Sequence, residues 1–394
     1  MQILILTAHF PHFDQPGLTY ATPFLSRYAS EWVKLGHQVT IIHFERKYPF
    51  LFNVFAKIVK LIGINKFEKY VVDRAAYTET EYSYEGYTVK RFLFNKFIPH
   101  SVTSVNKLRS CITRTQKILN DVNYDLVIGD CLDPVITVIN NLKINDKCIV
   151  SQIVHAADFP YLSKSSIKNM CDIVDTWLIR SEVQREPLEN AVGNRKIIAM
   201  YSGISDEQII PNPVYRTDLK RLLYVGALYK SKGIDTIIDA LSSTEIDYVL
   251  KIVGKGPDED YFKQRVKQLG IEDRVVFVGP VPHSEVFSYM QEADALVLIS
   301  HETFGMVYIE AMSQACIPIG AYNEGIDGVV KNGENGFLVH LGNSQELANL
   351  LTCDFSRDSA RIKNISMNAY NTAIALTDHK LAIDVLQNLV GESK

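Results

Sequence analysis

Residues 294–315 read DALVLISHETFGMVYIEAMSQA, and the order of residue types in this stretch decides the fold class. Asp294–Ser300 is a short apolar run of strand character, Phe304-Gly305 interrupts it, and Tyr308–Ala315 follows a helical pattern. A strand feeding a glycine turn and then a helix is the repeating step of a parallel sheet covered on both faces. The turn leaves the backbone N–H groups of Phe304, Gly305, Met306 and Val307 unpaired, and glycine lets an anion approach the chain closely. Glu310 lies four residues after Met306, on the same helix face, with its side chain leaning back toward the helix start. A carboxylate there cannot take a phosphate, but it accepts hydrogen bonds from the paired hydroxyls of a ribose. Glu302, on the loop before the turn, can accept from hydroxyls of a sugar beyond the phosphates. The stretch suits a nucleotide diphosphate sugar.

The same alternation extends in both directions. Upstream, strand character falls at Leu222–Val225, Tyr248–Val253 and Val275–Val278; downstream, at Ile317–Gly320 and Gly336–Val339. The first half carries it at Ile3–Leu6, Val39–Ile42, Thr88–Phe94, Leu126–Ile128, Cys148–Val154 and Thr176–Ile179. Ile209-Ile210-Pro211-Asn212-Pro213-Val214 breaks the rhythm with two prolines. The expected architecture is therefore α/β. It has an N-terminal Rossmann-like domain over residues 1–211 and a C-terminal one over 212–379. A helix within 380–394 is expected to return to the first. Open α/β sheets bind ligands at the carboxyl ends of their strands, so the two domains are expected to face each other across a cleft.

Length and composition agree with two soluble domains: 394 residues, 47% hydrophobic and 22% charged. The net charge of −4 argues against a nucleic-acid partner. Residues 46–117 nevertheless hold 14 Lys/Arg against 5 Asp/Glu. Within them, residues 48–63, YPFLFNVFAKIVKLIG, read as an apolar helix with Asn53, Lys57 and Lys60 along one face. Such a helix can lie in a membrane interface. The six cysteines show no C-x-x-C or metal spacing, which points to a reducing cytoplasm. The opening MQILILTAHF lacks a basic leader, and no apolar run reaches 18 residues, so neither a signal peptide nor a membrane span is expected.

Taken in order, the motifs of the second half resemble those of the retaining glycosyltransferases of the GT-B fold, family four (glycosyl transferases group 1). Val225-Gly226-Ala227-Leu228 with Lys232-Gly233 is similar to the family's G-R-L-x-x-x-K-G loop, and Val253-Gly254-Lys255-Gly256-Pro257 to its V-G-x-G-P turn. Val278–Pro282 resembles its F-x-G-x-V-P element, Ser300–Glu310 its paired-glutamate motif, and Asn332–Val339 its late N-G-x-x-G-x-L-V loop. The first half is similar more thinly, through Phe10-Pro11, Gly17, Gly36-His37-Gln38-Val39 and Ile210–Val214. His155, after the strand Cys148–Val154, stands where the family has a histidine that contacts the donor sugar. The resemblance implies Glu302, Lys232 and His155 as catalytic-site residues. It implies Gly17, Gly226, Lys232, Gly254, Phe304, Gly305, Met306, Val307 and Glu310 as donor-binding ones. No metal and no other cofactor is expected, because helix-start amides and Lys232 take the diphosphate charge.

Two positions depart from the family pattern. Ala227 replaces the usual arginine, leaving Lys232 to carry the diphosphate charge, with Lys230 nearby. Gly325-Ile326-Asp327-Gly328 lacks the glutamate many relatives have at its fourth position. Asp258-Glu259-Asp260 looks like a D-x-D metal motif, but after Pro257 it reads as a helix start. His9 and His12, in His9-Phe10-Pro11-His12, offer metal-ligand types, but they read as packing residues of a loop. The expected activity is transfer of a sugar, from UDP in preference to other carriers, to a hydroxyl of a glycan or lipid-linked acceptor. The expected setting is cell-surface polysaccharide or glycolipid assembly, in the cytoplasm or at the inner face of the membrane. The rival readings are a nucleotide-sugar epimerase and a degenerate relative that only binds a partner or a membrane.

Overall fold

In a computed structural model of the chain, the described residues are 1–14, 23–48, 58, 78–96, 101–162, 171–244, 247–353 and 358–391. Gly17 and, apart from Tyr48 and Ile58, the expected interfacial helix of residues 48–63 lie outside them. Contacts divide the chain into two compact units. The first comprises Met1–Ile179, Arg185–Met200 and Ala382–Lys394; the second comprises Arg180–Gln184 and Tyr201–Leu381.

The first unit is built on eight strands: β1 (Gln2–Thr7), β2 (Gln38–Lys47), β3 (Thr80–Tyr84), β4 (Tyr87–Asn95), β5 (Leu126–Asp130), β6 (Ile149–Val154), β7 (Thr176–Ile179) and β8 (Lys196–Ala199). Their order is β3-β4-β2-β1-β5-β6-β7-β8, with every pairing parallel except β3–β4. β1 and β5 to β7 are almost wholly buried, which is why they read as unbroken apolar runs. The helix Phe24–Lys34 turns Phe24, Leu25, Tyr28, Ala29 and Trp32 inward at helical spacing, and Gly36, at φ 85°, turns the chain out of it. Trp32 is fully buried, and its indole N–H donates to the Ala382 carbonyl at 2.9 Å. The helix Asp378–Val390 is thereby fixed at its Ala382 end, and Lys196 adds a bond to the Asn388 carbonyl.

The second unit has six parallel strands: β9 (Arg221–Val225), β10 (Val249–Val253), β11 (Val275–Gly279), β12 (Ala295–Val297), β13 (Ile317–Ala321) and β14 (Phe337–Val339). All six fall at the runs expected from sequence. Their order, β11-β10-β9-β12-β13-β14, is the dinucleotide-fold order, with its reversal between β9 and β12. Ile209–Val214 lies inside this unit. It is held by Tyr370 Oη donating to the Ile210 carbonyl at 2.6 Å and by the Ile210 N–H donating to Ser313. No helix among the described residues is long and apolar enough to cross a membrane.

Trp32→Ala should destabilise the first unit by about 3–5 kcal/mol in urea denaturation, the usual cost of emptying a buried indole site. A loss below about 1 kcal/mol would show that the indole is not packed as described.

Candidate functional site

The loops after β9 and β12 flank the reversal of strand order, where an open α/β sheet leaves a crevice. Backbone bonds join the turns that surround it. The Gly226 N–H donates to Val253 at 3.0 Å, Gly254 to Gly279 at 2.9 Å and Leu228 to Lys255 at 3.1 Å. Glycine is required for these approaches. Gly254 sits at φ 138°, and a Cβ there would overlap the Gly226 carbonyl oxygen; one on Gly256 would overlap Leu228 backbone. Gly233, at φ 71°, lies so close to the Ile299 carbonyl that a Cβ would collide with it.

That last approach brings the turn Lys230–Lys232 against the end of β12. Lys232 Nζ lies 2.6 Å from Glu302 Oε1, and Ser300 Oγ donates to the same oxygen at 3.0 Å. Lys232 and Glu302 are 30% and 22% exposed, so the pair is reachable from solvent. The loop that follows is held on several sides. The Gly325 N–H donates to the Glu302 carbonyl at 3.0 Å, and Glu324 accepts from the Glu302 N–H at 3.2 Å. Phe304 stacks on Tyr201 with ring centroids 5.2 Å apart, and Tyr308 Oη donates to the Leu298 carbonyl. Gly305, at φ 86°, then starts the helix Met306–Ser313. Among the described residues, the N–H groups of Phe304, Gly305, Met306 and Val307 donate to no acceptor of the protein. A helix start with free N–H groups of this kind is able to take an anion.

Glu310, in the second turn, accepts from or is paired with His283 Nε2 at 2.9 Å. His283 opens the helix His283–Glu292 and is mostly exposed. Burial, and then the Glu302 carboxylate, push the phenols of Tyr224 and Tyr308 up, so both remain neutral donors. Tyr224 spends its proton on the Ala227 carbonyl at 3.0 Å. Lys230, the nearby cation, is occupied: its ammonium lies 3.8 Å over the Tyr261 ring. Asp258-Glu259-Asp260 opens the helix Glu259–Gln268, as expected of acidic residues at a helix start.

His155 follows β6 in the first unit, at the carboxyl end of that sheet. Its Nε2 is 2.6 Å from Asp130 Oδ1, and its other ring nitrogen accepts the Asp158 backbone N–H. Thr7 Oγ1 donates to Asp130 Oδ2 at 2.7 Å. Burial pushes Asp130 up, but the His155 charge and hydrogen bond, with the Thr7 hydroxyl, outweigh it and hold the carboxyl below its ordinary value. Asp130 fixes the tautomer that carries its proton on Nε2 and keeps the imidazole in one orientation. Sequence reasoning singled out neither Asp130 nor Thr7. They are register partners on neighbouring strands, a relation that appears only once β1 pairs with β5. His283 and Glu324 were missed as partners because each meets its glutamate across loops, and Ser300, two residues from Glu302, was missed as its donor.

Comparison with known proteins finds relatives of this chain. Residues 205–372 match the family described as glycosyl transferases group 1. The N-acetyl-alpha-D-glucosaminyl L-malate synthase of Bacillus anthracis is 25% identical over 282 residues, covering 66% of this chain and 71% of the relative. Other curated relatives are matched over 34% to 50% of their own lengths. Among solved structures, the lipopolysaccharide outer core galactosyltransferase WaaB in apo form superposes with TM-score 0.69 at 19% identity, over 100% of both chains. Anabaena Alr3699/HepE in complex with UDP superposes with TM-score 0.66 at 18% identity, over 99% of this chain and 100% of that one. The fold is GT-B, and residues 205–372 carry a glycosyl transferases group 1 domain. It is a glycosyltransferase-class enzyme.

Gly254→Ala should cost about 2 kcal/mol or more in thermal or urea unfolding, because strain and overlap combine. Gly270→Ala, at φ 66° with open space around it, should cost only about 1 kcal/mol. Equal costs would remove the close-approach argument. In the first unit, burial and the Arg46 guanidinium lower His9 from 6.5 to about 4, against the opposing charges of Asp130 and Glu45; His155 lowers it further. The fold thus favours neutral His9. Its contribution is complete above pH 6.5 and is lost as pH falls toward about 4. His9→Gln should flatten the decline of stability across that window, and an unchanged slope would mean that His9 does not carry it.

Proposed function

We propose that the protein is a retaining glycosyltransferase that moves a sugar from a nucleotide diphosphate sugar, with a UDP-sugar favoured, to a hydroxyl of a glycan or lipid-linked acceptor. The observation that carries this reading is the Lys232–Glu302 pair at 2.6 Å beside the unpaired helix-start amides of Phe304–Val307, at the reversal of strand order. Lys232 is the residue able to share charge with a leaving diphosphate, and the amides are preorganised donors for its oxygens. Glu302 is assigned to orienting hydroxyls of the donor sugar, and Glu310 to the ribose. Because each is already engaged, donor binding exchanges the Lys232–Glu302 and His283–Glu310 contacts for ligand contacts. The bound UDP of Alr3699/HepE supports a uridine carrier.

No protein nucleophile is assigned: in this reading the leaving phosphate takes the acceptor proton. His155 is assigned a hydrogen bond to the donor sugar, for which one of its two ring-nitrogen bonds must be released. No metal or further cofactor is assigned to this chemistry. The acceptor falls to the first unit, and the setting we favour is cell-surface polysaccharide or glycolipid assembly at the cytoplasmic face of a membrane. The basic, apolar segment of residues 48–63 is assigned the membrane contact.

Calorimetric titration with UDP, GDP and ADP, and then with their sugars, tests this reading. One base should bind, Glu310→Ala should weaken it roughly tenfold or more, and Lys232→Ala should lower kcat by about 100-fold. Failure of all three bases to bind would favour the rival reading, a binding protein disabled by Ala227.

A further inference from the structure

Strand β2 ends in a polar sequence that the transfer chemistry does not use. His43 and Glu45 are two residues apart on it and so project from the same face of the sheet. Ile42 and Phe44, which alternate with them, enter the apolar core on the other face. The loop after β1 lays His12 beside them. His12 Nε2 is 2.8 Å from Glu45 Oε2, His43 Nε2 is 3.6 Å from the same oxygen, and the two imidazole centroids are 5.4 Å apart. One ligating atom from each of the three residues can be chosen so that all lie within 4.8 Å of one another.

We propose that His12, His43 and Glu45 form a site for one divalent transition-metal ion of the zinc class. Two ligands on a tetrahedral zinc, each about 2.0–2.1 Å from the metal, stand about 3.3 Å apart. The two separations measured to Glu45 bracket that value. Two imidazoles with one carboxylate select zinc or a similar first-row ion over magnesium or calcium, which take oxygen ligands. The set leaves the fourth position for water or a further ligand.

The state of His43 is the second observation. Its side chain is 3% exposed, its Nδ1 is buried without a hydrogen-bond partner, and its Nε2 stands beyond hydrogen-bond distance from Glu45. Without an ion, this ring is a buried polar group with no hydrogen bond, a costly arrangement. An ion at Nε2 gives that nitrogen its partner and leaves the buried Nδ1 unchanged. Arg91, the register partner of His43, is compensated by Asp14 through contacts of 2.6 and 3.2 Å. The loop is held from its other side as well: Phe10 packs edge-on against His43, and Phe13 stacks on Tyr84 at 3.9 Å. The bound ion fastens the loop His9–Asp14 to β2. The neighbouring group Asp130, Cys131 and His155 is a poorer candidate, since burial pushes its thiol well up.

The full chain is stripped with a chelator, dialysed against zinc and then against metal-free buffer, and its metal content is read by inductively coupled plasma mass spectrometry. Wild type should retain about one zinc per chain. His12→Ala and Glu45→Gln, folded by circular dichroism, should lose affinity about 10- to 100-fold. Cys131→Ser should retain the metal. Cobalt(II) in place of zinc should give ligand-field bands without thiolate charge transfer. Zinc retention by both ligand variants, no retention by wild type, or a thiolate band would each overturn the site. Chelator should lower the melting temperature of wild type but not of His12→Ala, and equal shifts would overturn it too. None of these readouts depends on sugar transfer.

Discussion

At a handful of glycines in the second unit, backbone meets backbone at a separation that one methyl group would prevent, and the candidate donor site depends on it. Gly233 against Ile299 brings the turn of Lys232 to Glu302; Gly254 and Gly256 press the next turn onto Gly226 and Leu228; Gly325 meets Thr303 and Phe304. The loops are thus positioned by main-chain contacts and hydrogen bonds, which cost no side-chain entropy to hold. What they expose is also largely main chain: unpaired N–H groups at a helix start. The charged side chains arrive already paired, Lys232 with Glu302 and Glu310 with His283. A ligand must replace these contacts with better ones, so the site discriminates by charge and hydroxyl geometry more than by apolar fit.

The first unit arranges its polar groups by a different device. Arg91, His43, Thr7 and Asp130 are consecutive register partners across β4, β2, β1 and β5, which sets a polar row transverse to the strands. Each is nearly or fully buried, where an unpaired polar group is expensive. Arg91 is paired with Asp14 through both terminal nitrogens, and Thr7 and Asp130 are satisfied by each other and, for Asp130, by His155. A slip of one residue in any of these strands would turn its polar member of the row to the opposite face of the sheet. The row therefore specifies register as well as chemistry.

These two devices explain what the sequence disclosed. Every strand of the second unit was legible, because parallel strands buried on both faces are continuous apolar runs ended by glycine or a polar loop. β3 was not: TEYSY alternates polar and half-buried residues at a sheet edge and joins β4 through the left-handed pair Glu85-Gly86. The helix Ser359–Ala375 was missed because SARIKNISMNAYNTAIA scatters small and polar residues among its buried positions. Within the candidate site, single-loop features could be read along the chain, such as Phe304-Gly305 before a helix. The pairs could not, since Lys232 and Glu302 are 70 residues apart and His155 and Asp130 25 apart. Neither residue of such a pair carries a mark of the other.

Ala227 brings the two levels together. As a departure from the family's motif it suggests a damaged loop, but the loop's shape never rested on a long side chain at that position. Its carbonyl takes the Tyr224 hydroxyl, and its neighbours Gly226 and Leu228 are bonded to Val253 and Lys255. Alanine keeps all of these main-chain bonds. Replacing arginine removes one positive charge and leaves the geometry intact, so its consequence belongs to electrostatics alone. That loss acts at long range and is screened by salt, whereas the loss of a glycine nearby would act through overlap and would not be. Salt dependence of donor affinity therefore reports on the missing charge, and salt-independent failure reports on a broken loop.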